Sequence, residues 1–302
     1  NGDTVFDAKR NINIPSYRRK VGLLLQDYAL FPHMTVAQNV GFGLHELPPD
    51  GRSHRIRKQL SLVQLEGFEN RYPHQLSGGQ QQRAALARAL AMEPNILLLD
   101  EPFSALDSHL RNELEKQLIR ILSSYAGPTL FVSHNLEEAY RVCQRLLVLE
   151  RGTIAVAGAK QTIFDRPEKR SIAQLTGCKN YSAIQTITSH SLHAPDWNCT
   201  LSTAEAIAPS HAYVGIRAHH IIFWEEQYQS EIPANVFSAW VVWTSETPHR
   251  MTVYLKIGAP PAHAEDYHLQ AEVFKDRWRQ LQLKPMPWLI HLQPERLLLL
   301  QP

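Results

Sequence analysis

Apolar positions in the first half of the chain fall into short uninterrupted runs separated by longer amphipathic stretches. Residues 21–25, 96–99, 129–133 and 146–149 have the length and aliphatic content of buried strands, and the segments between them carry helical spacing. This alternation predicts an α/β arrangement, a parallel sheet flanked by helices, over residues 1–165. Beyond it the apolar runs become short and β-like, at 213–216, 239–244, 251–257 and 288–292, with Pro, Gly, Asn and Asp between them. That pattern predicts a small all-β barrel or sandwich over 181–302, closed by a strand near 294–299. Pro167 limits helix continuation behind it, so 166–180 reads as the connection. No internal repeat or low-complexity tract is visible.

Composition narrows the partners. At 302 residues, 44% hydrophobic and 20% charged, the chain has enough material for about two domains of about 100 to 200 residues each. A formal net charge of +2 supplies no case for nucleic acid as a partner. Cys143, Cys178 and Cys199 are too few and too scattered for a disulfide framework or a C-x-x-C metal site, which points to a reducing compartment. No apolar run reaches the ~18 residues that span a bilayer, and no signal-peptide pattern opens the chain, so any membrane role is expected to be peripheral.

The chemistry concentrates in two segments. Leu76-Ser77-Gly78-Gly79-Gln80 precedes a strong helix former over 78–92. Ser77 suits the N-cap, Gly78 and Gly79 let backbone N–H groups approach an anion, and the helix dipole adds partial positive charge there. A glycine turn before a surface helix is the plain alternative. About twenty residues later, Ile96-Leu97-Leu98-Leu99-Asp100-Glu101-Pro102 reads as a buried strand delivering two carboxylates at the C-terminal edge of the sheet, where open α/β sheets bind ligands. Asp100 is suited to hold Mg²⁺, and Glu101 to orient the water that attacks a γ-phosphate. No G-x-x-x-x-G-K-[S/T] phosphate loop occurs in the 302 residues, and the first residue is Asn1. The expectation is therefore a site whose front segment has been removed.

Further residues follow in a recognisable order. Gln26 ends the first strand, Ser104-Ala105-Leu106-Asp107 follows the carboxylates, and His134 closes the strand at 129–133. Alone, a Gln or a His at such a place is a surface residue more often than not. Together with the two segments above, residues 21–158 resemble the nucleotide-binding subunit of ATP-binding cassette (ABC) transporters. The match runs through the glutamine loop (Gln26), the signature (Leu76 to Gln80), Walker B (Asp100, Glu101), the D-loop (Asp107) and the switch histidine (His134).

The resemblance implies a P-loop NTPase-like fold, incomplete at its N-terminus, and hydrolysis of MgATP between two copies. Glu101 and His134 would be catalytic, Asp100 and Gln26 metal contacts, and Gln26, Ser77, Gly78, Gly79, Gln80 and Asp107 nucleotide contacts. Asn135 stands where the family often has Asp. It further implies permease subunits in the membrane, a solute-binding protein, and a place on the cytoplasmic face. The apolar stretch from Tyr28 to Val36, with 71–75, would receive the permease.

The C-terminal part carries weaker signals. Leu175-Thr176-Gly177-Cys178-Lys179-Asn180 and Val214-Gly215-Ile216-Arg217 resemble the junction and the oligomer-binding-like regulatory domain (MOP/TOBE type) of molybdate-type oxyanion importers. Importers of sulfate, iron, polyamines and sugars carry related appendages, and a regulatory ABC-like protein without hydrolysis is a further alternative. This domain is an oxyanion-binding candidate with no ligand assigned. His219 and His220 are read as leaving a strand on opposite faces rather than as metal ligands, and Trp240 and Trp243 as packing.

Overall fold

The leucine run Ile96–Asp100 forms the middle strand of a three-stranded parallel sheet. The computed structural model describes residues 2, 4–104, 108–225 and 232–302, which divide into two compact units, 1–144 and 145–302. In the first unit a small hairpin, β1 (Phe6–Asp7) and β2 (Ile12–Asn13), precedes β3 (Val21–Leu24). Then come α1 (Val36–Gly41), α2 (Pro49–Leu62), α3 (Gly78–Ala91), β4 (Ile96–Asp100), α4 (Ser108–Ser124), β5 (Thr129–Val132) and α5 (Leu136–Val142). β3 and β5 flank β4, both parallel to it, with Leu24 opposite Leu99 and Asp100 opposite Val132. The three strands therefore end together, and the residues following them share one edge.

α3 begins where the sequence predicts. Ser77 Oγ accepts from Gln80 N while Ser77 N donates to Gln80 Oε1, a reciprocal capping box. Its buried face is alanine-rich, with Ala84, Ala85, Ala87, Ala89 and Ala91, so the helix backbone lies close to the sheet. Gly22 on β3 is the counterpart: a Cβ there would meet the Ala89 carbonyl at 3.0 Å and Pro94 at 2.9 Å. Leu24, Leu60, Leu65, Leu97, Leu99 and Phe103 centre the core of this unit.

The second unit starts earlier than the composition shift suggests. β6 (Arg145–Glu150), expected in the parallel sheet, pairs antiparallel with β7 (Thr153–Ala159) in a hairpin of its own. α6 (Lys160–Asp165) and α7 (Arg170–Leu175) follow. Residues 166–180, expected as a connection, are stitched into this unit. The buried Arg217 guanidinium donates to the carbonyls of Phe164 and Thr176 and, at 3.0 Å, to Thr176 Oγ1. Asn180, also buried, bonds Ile216 O (3.1 Å), Gln270 O (2.9 Å) and Gln270 N (2.7 Å). A buried guanidinium and amide satisfied by backbone are costly to unmake, which is why 166–180 does not behave as a linker.

The remainder is β-rich: β8 (Asn180–Ala183), β9 (Gln185–Thr188), β10 (Ser191–Ala194), β11 (Cys199–Ser202), β12 (Tyr213–Ile216), β13 (Ile222–Phe223), β14 (Val236–Glu246), β15 (Arg250–Ile257), β16 (Leu269–Phe274), α8 (Lys275–Leu281), β17 (Trp288–His291) and β18 (Leu298–Leu300). A five-stranded antiparallel sheet runs β13-β17-β14-β15-β16, beside three-stranded sheets β18-β12-β8 and β11-β10-β9. β15 alternates strictly, burying Met251, Val253, Leu255 and Ile257, the signature of a sheet covered on one face. The expected closing strand starts later, because Pro294–Arg296 is a 3-10 turn. His219 and His220 lie in another, Ala218–His220, and meet edge to face at 4.3 Å instead of diverging. Trp243 stacks on Tyr254 across β14 and β15, 3.8 Å between ring centres, a cross-strand packing pair.

Candidate functional site

Glu101 leaves β4 in the left-handed region, φ 46°, a conformation that a residue with a side chain adopts at some cost and that recurs at functional sites. Three backbone contacts hold it. Its N–H donates to Val132 O at 3.0 Å, and its carbonyl accepts from Ser104 N (3.2 Å) and Ser104 Oγ (2.9 Å). The carboxylate is thereby turned toward the end of β5, where Oε1 accepts from His134 N at 2.8 Å and meets His134 Nδ1 at 2.7 Å. The Glu101 side chain is 18% exposed and that of His134 79%. With Nδ1 donating to an ionised carboxylate, Nε2 is the ring atom left for an external group. Glu101 and His134 thus form one unit, with the carboxylate sheltered and the ring open.

The histidine turn is built from beneath. Asn135 caps α5, its Oδ1 accepting from Glu137 N (3.0 Å) and Glu138 N (3.3 Å). Buried Glu138 accepts from Ser133 Oγ (3.0 Å) and Asn135 Nδ2 (3.2 Å) and pairs with Arg111 at 3.4 Å. Arg141 and the equally buried Glu115 add a second bridge at 2.6 Å. Both neighbours of His134 are therefore anchored on one carboxylate. The N-x-x-E spacing of Asn135 and Glu138 was a capping signal in the sequence, but its role in holding His134 was not visible there. Ser104 stands in the sequence only as the start of the segment that ends in Asp107, and nothing there signals that it braces Glu101.

Asp100 ends β4 exposed, and Gln26 follows β3, whose Leu24 pairs Leu99, so both residues stand on the same sheet edge as Glu101. The signature stands apart. Among the described residues the side chains of Ser77 and Gln80 each accept from the other's backbone N–H, closing the capping box away from Asp100, Glu101 and His134. Gly79 is buried, and a Cβ on it would meet Leu114 of α4 at 2.9 Å. Its small size therefore serves helix packing here. Asp107, with Ala105 and Leu106, lies outside the described residues. The apolar stretch after Gln26 divides: Tyr28 and Val36 are buried and complete the core, while Phe31 is half-buried and packs on exposed Phe42 at 4.5 Å. Among the described residues no three His, Cys, Asp or Glu side chains cluster as a metal site, and no helix is long and apolar enough to cross a membrane.

A family model described as ABC transporter matches residues 1–104. The sulfate/thiosulfate import ATP-binding protein CysA of Halalkalibacterium halodurans is 34% identical over 295 residues, 94% of this chain and 78% of that protein. A CysA of Bacillus cereus is 34% identical over 308 residues, 97% of this chain and 81% of its own length. The spermidine/putrescine import ATP-binding protein PotA of Clostridium novyi is 40% identical over 182 residues, 60% of this chain and 52% of that protein. Near full-length similarity to import ATP-binding proteins joins a strand-end carboxylate bonded to a strand-end histidine: the chain belongs to the ABC transporter family, among the ATP-binding subunits of its importers, which are ATPases.

Proposed function

We propose that the chain is the energy-coupling subunit of an importer for a tetrahedral oxyanion of the sulfate class, acting on the cytoplasmic face of the membrane with a second copy of itself, permease subunits and a solute-binding protein. The observation that carries the solute is the extent of similarity. The two sulfate/thiosulfate relatives match through 94% and 97% of the chain, and so through its C-terminal unit, whereas the polyamine relative matches through 60%. Molybdate, the oxyanion suggested by residues 175–180 and 214–217, is a member of the same chemical class. Polyamine import is the second reading, favoured by the higher identity, 40%, over the 182 residues matched.

The donor set at the sheet edge fits Mg²⁺ as that ion is usually held with nucleotides, by few protein oxygens: one exposed carboxylate, Asp100, and one exposed amide, Gln26. There Asp100 and Gln26 would be its protein ligands, and the ion would neutralise developing phosphate charge. Glu101, bonded to Ser104 and His134, would accept a proton from the attacking water or orient it. His134 would offer Nε2 to the γ-phosphate while its Nδ1 keeps the carboxylate in register. Ser77, Gly78, Gly79 and Gln80, separate from this cluster, are assigned to the nucleotide of the opposite copy, and Asp107 is assigned to nucleotide contact from its place in the sequence alone. No step is assigned to a phosphate-gripping lysine, since these 302 residues contain no G-x-x-x-x-G-K-[S/T] segment.

Uptake of labelled sulfate, molybdate and spermidine by cells whose own copy of this subunit carries Glu101→Gln tests the reading. The expected result is a loss of about 10²-fold in oxyanion uptake with spermidine uptake unchanged. Loss confined to spermidine transfers the assignment to the polyamine class.

A further inference from the structure

Tyr28 and Ala29 are consecutive residues with positive φ, 62° and 43°. Each left-handed residue bearing a side chain costs about 1 to 2 kcal/mol, so two in succession require a hold from outside the turn. Arg88 supplies it. Its Nη1 donates to Ala29 O at 2.7 Å and its Nη2 to Tyr28 O at 2.9 Å, a planar two-pronged grip across some sixty residues of sequence. The same guanidinium lies over the Phe31 ring, 5.4 Å from its centre. Burial pushes the Arg88 guanidinium below its ordinary value, as expected of a cation held by carbonyls and a ring.

Two further facts connect this grip to the site. Tyr28 N donates to Leu25 O at 2.9 Å, so Gln26 lies inside a four-residue turn whose last carbonyl Arg88 holds. Arg88 itself stands on α3, the helix that Ser77 caps. On the other side of Phe31, fully buried Asn39 accepts from Phe31 N (2.9 Å) and donates to Phe31 O (3.1 Å), so the loop is fixed at both ends.

We propose that Arg88 is a positioning residue that couples the signature helix to the glutamine turn: by holding Tyr28 and Ala29 in the left-handed conformation it sets where Gln26 stands, and any displacement of α3 carries the turn with it. The functional consequence rests on the reading of Gln26 and Ser77 given above. The mechanical link does not.

The test is a double-mutant cycle read by amide hydrogen exchange on the full chain without nucleotide. Arg88→Met is expected to speed exchange of the Tyr28 and Phe31 N–H groups by about tenfold, after normalising to Leu97 and Leu99 in β4. Ala29→Gly in the Arg88→Met background is expected to reverse most of that acceleration, because glycine adopts positive φ at little cost. Arg88→Lys, a point charge without the planar fork, is expected to restore protection only in part. Acceleration spread evenly over β4 and the turn, or no rescue by Ala29→Gly, would overturn the link and leave Arg88 as a packing residue. Should Arg88→Met fail to fold, the same cycle with Arg88→Lys decides by the same two outcomes. Because no nucleotide or solute enters the measurement, its failure leaves the transport reading untouched, and the uptake experiment can fail without affecting it.

Discussion

The two large sheets of this protein bury their apolar residues in opposite ways. In the C-terminal unit the antiparallel β15 follows strict alternation, and Val253, Leu255 and Ile257 face a core that also holds Leu269, Ala271 and Ile290. In the N-terminal unit the parallel strands are apolar on both faces, yet the described residues cover one of them. Leu24, Leu97 and Leu99 are buried, while Leu23, Leu130 and Val132 are 46%, 52% and 47% exposed. Parallel sheets ordinarily have both faces covered, so the open face is an apolar surface of a kind that soluble proteins seldom leave bare. The polar residues differ as well. At one edge of the parallel sheet three strand ends carry Gln26, Asp100, Glu101 and His134, of which Glu101 and His134 bond each other. The antiparallel unit has buried tryptophans and several half-buried histidines but, among the described residues, no comparable convergence of carboxylate and imidazole.

The contrast can be broken most forcefully in the cores. Leu97→Ala and Leu255→Ala each remove a fully buried side chain and are expected to cost about 2 to 5 kcal/mol. All six tryptophans lie at or beyond Trp197, so their fluorescence reports the C-terminal unit alone. Leu255→Ala should lower the fluorescence unfolding midpoint, whereas Leu97→Ala should lower the far-ultraviolet circular dichroism midpoint and leave fluorescence in place. A common shift in both variants would show that the units unfold as one.

Next in size is the site itself. Glu101→Gln preserves an acceptor for His134 N but removes the charge, and ATP turnover should fall about 10²-fold with the tryptophan midpoint unchanged. Retained turnover would remove Glu101 from its assigned role.

A smaller effect separates the units by pH. Burial, with help from His219, holds His220 down to about 4, and burial also lowers His219, His268 and His291. The His220 ring is therefore neutral in the folded protein between about pH 6.5 and pH 4, a window in which the unfolded chain binds more protons and stability rises with pH, and the other three rings act in the same direction. The C-terminal unit should therefore lose stability as pH falls through that window, by about 1 kcal/mol for partly solvated rings, and no further below it from this source. Urea midpoints followed by fluorescence at pH 7, 5.5 and 4 check the slope; a flat profile would mean that the rings are solvated in the folded state.

The smallest effect is the most diagnostic of the open face. Leu130→Thr should alter stability by no more than about 0.5 kcal/mol while reducing binding of a hydrophobic dye such as anilinonaphthalene sulfonate. A cost of several kcal/mol would mean that the face is covered in solution.

The sequence by itself determined what local chemistry can determine. Apolar runs ending in Gln26, Asp100 and His134 placed those residues at strand ends, and Ser77 placed the start of α3, because strand burial and helix capping are written within a few residues of each other. The short apolar run at 251–257 likewise disclosed a strand. Tertiary structure alone decided how the pieces meet. The bond of His134 to Glu101, the anchoring of Ser133 and Asn135 on Glu138, and the hold of Arg88 on Tyr28 and Ala29 join residues that no periodicity links. The same holds for β6, whose apolar run suits a parallel strand but which pairs with β7, and for 166–180, which Arg217 and Asn180 draw into the C-terminal unit. The physical reason is common to all of them. Side-chain bonds to backbone depend on which carbonyls and N–H groups the topology brings within about 3 Å, and an apolar strand fits either sheet until its neighbours choose.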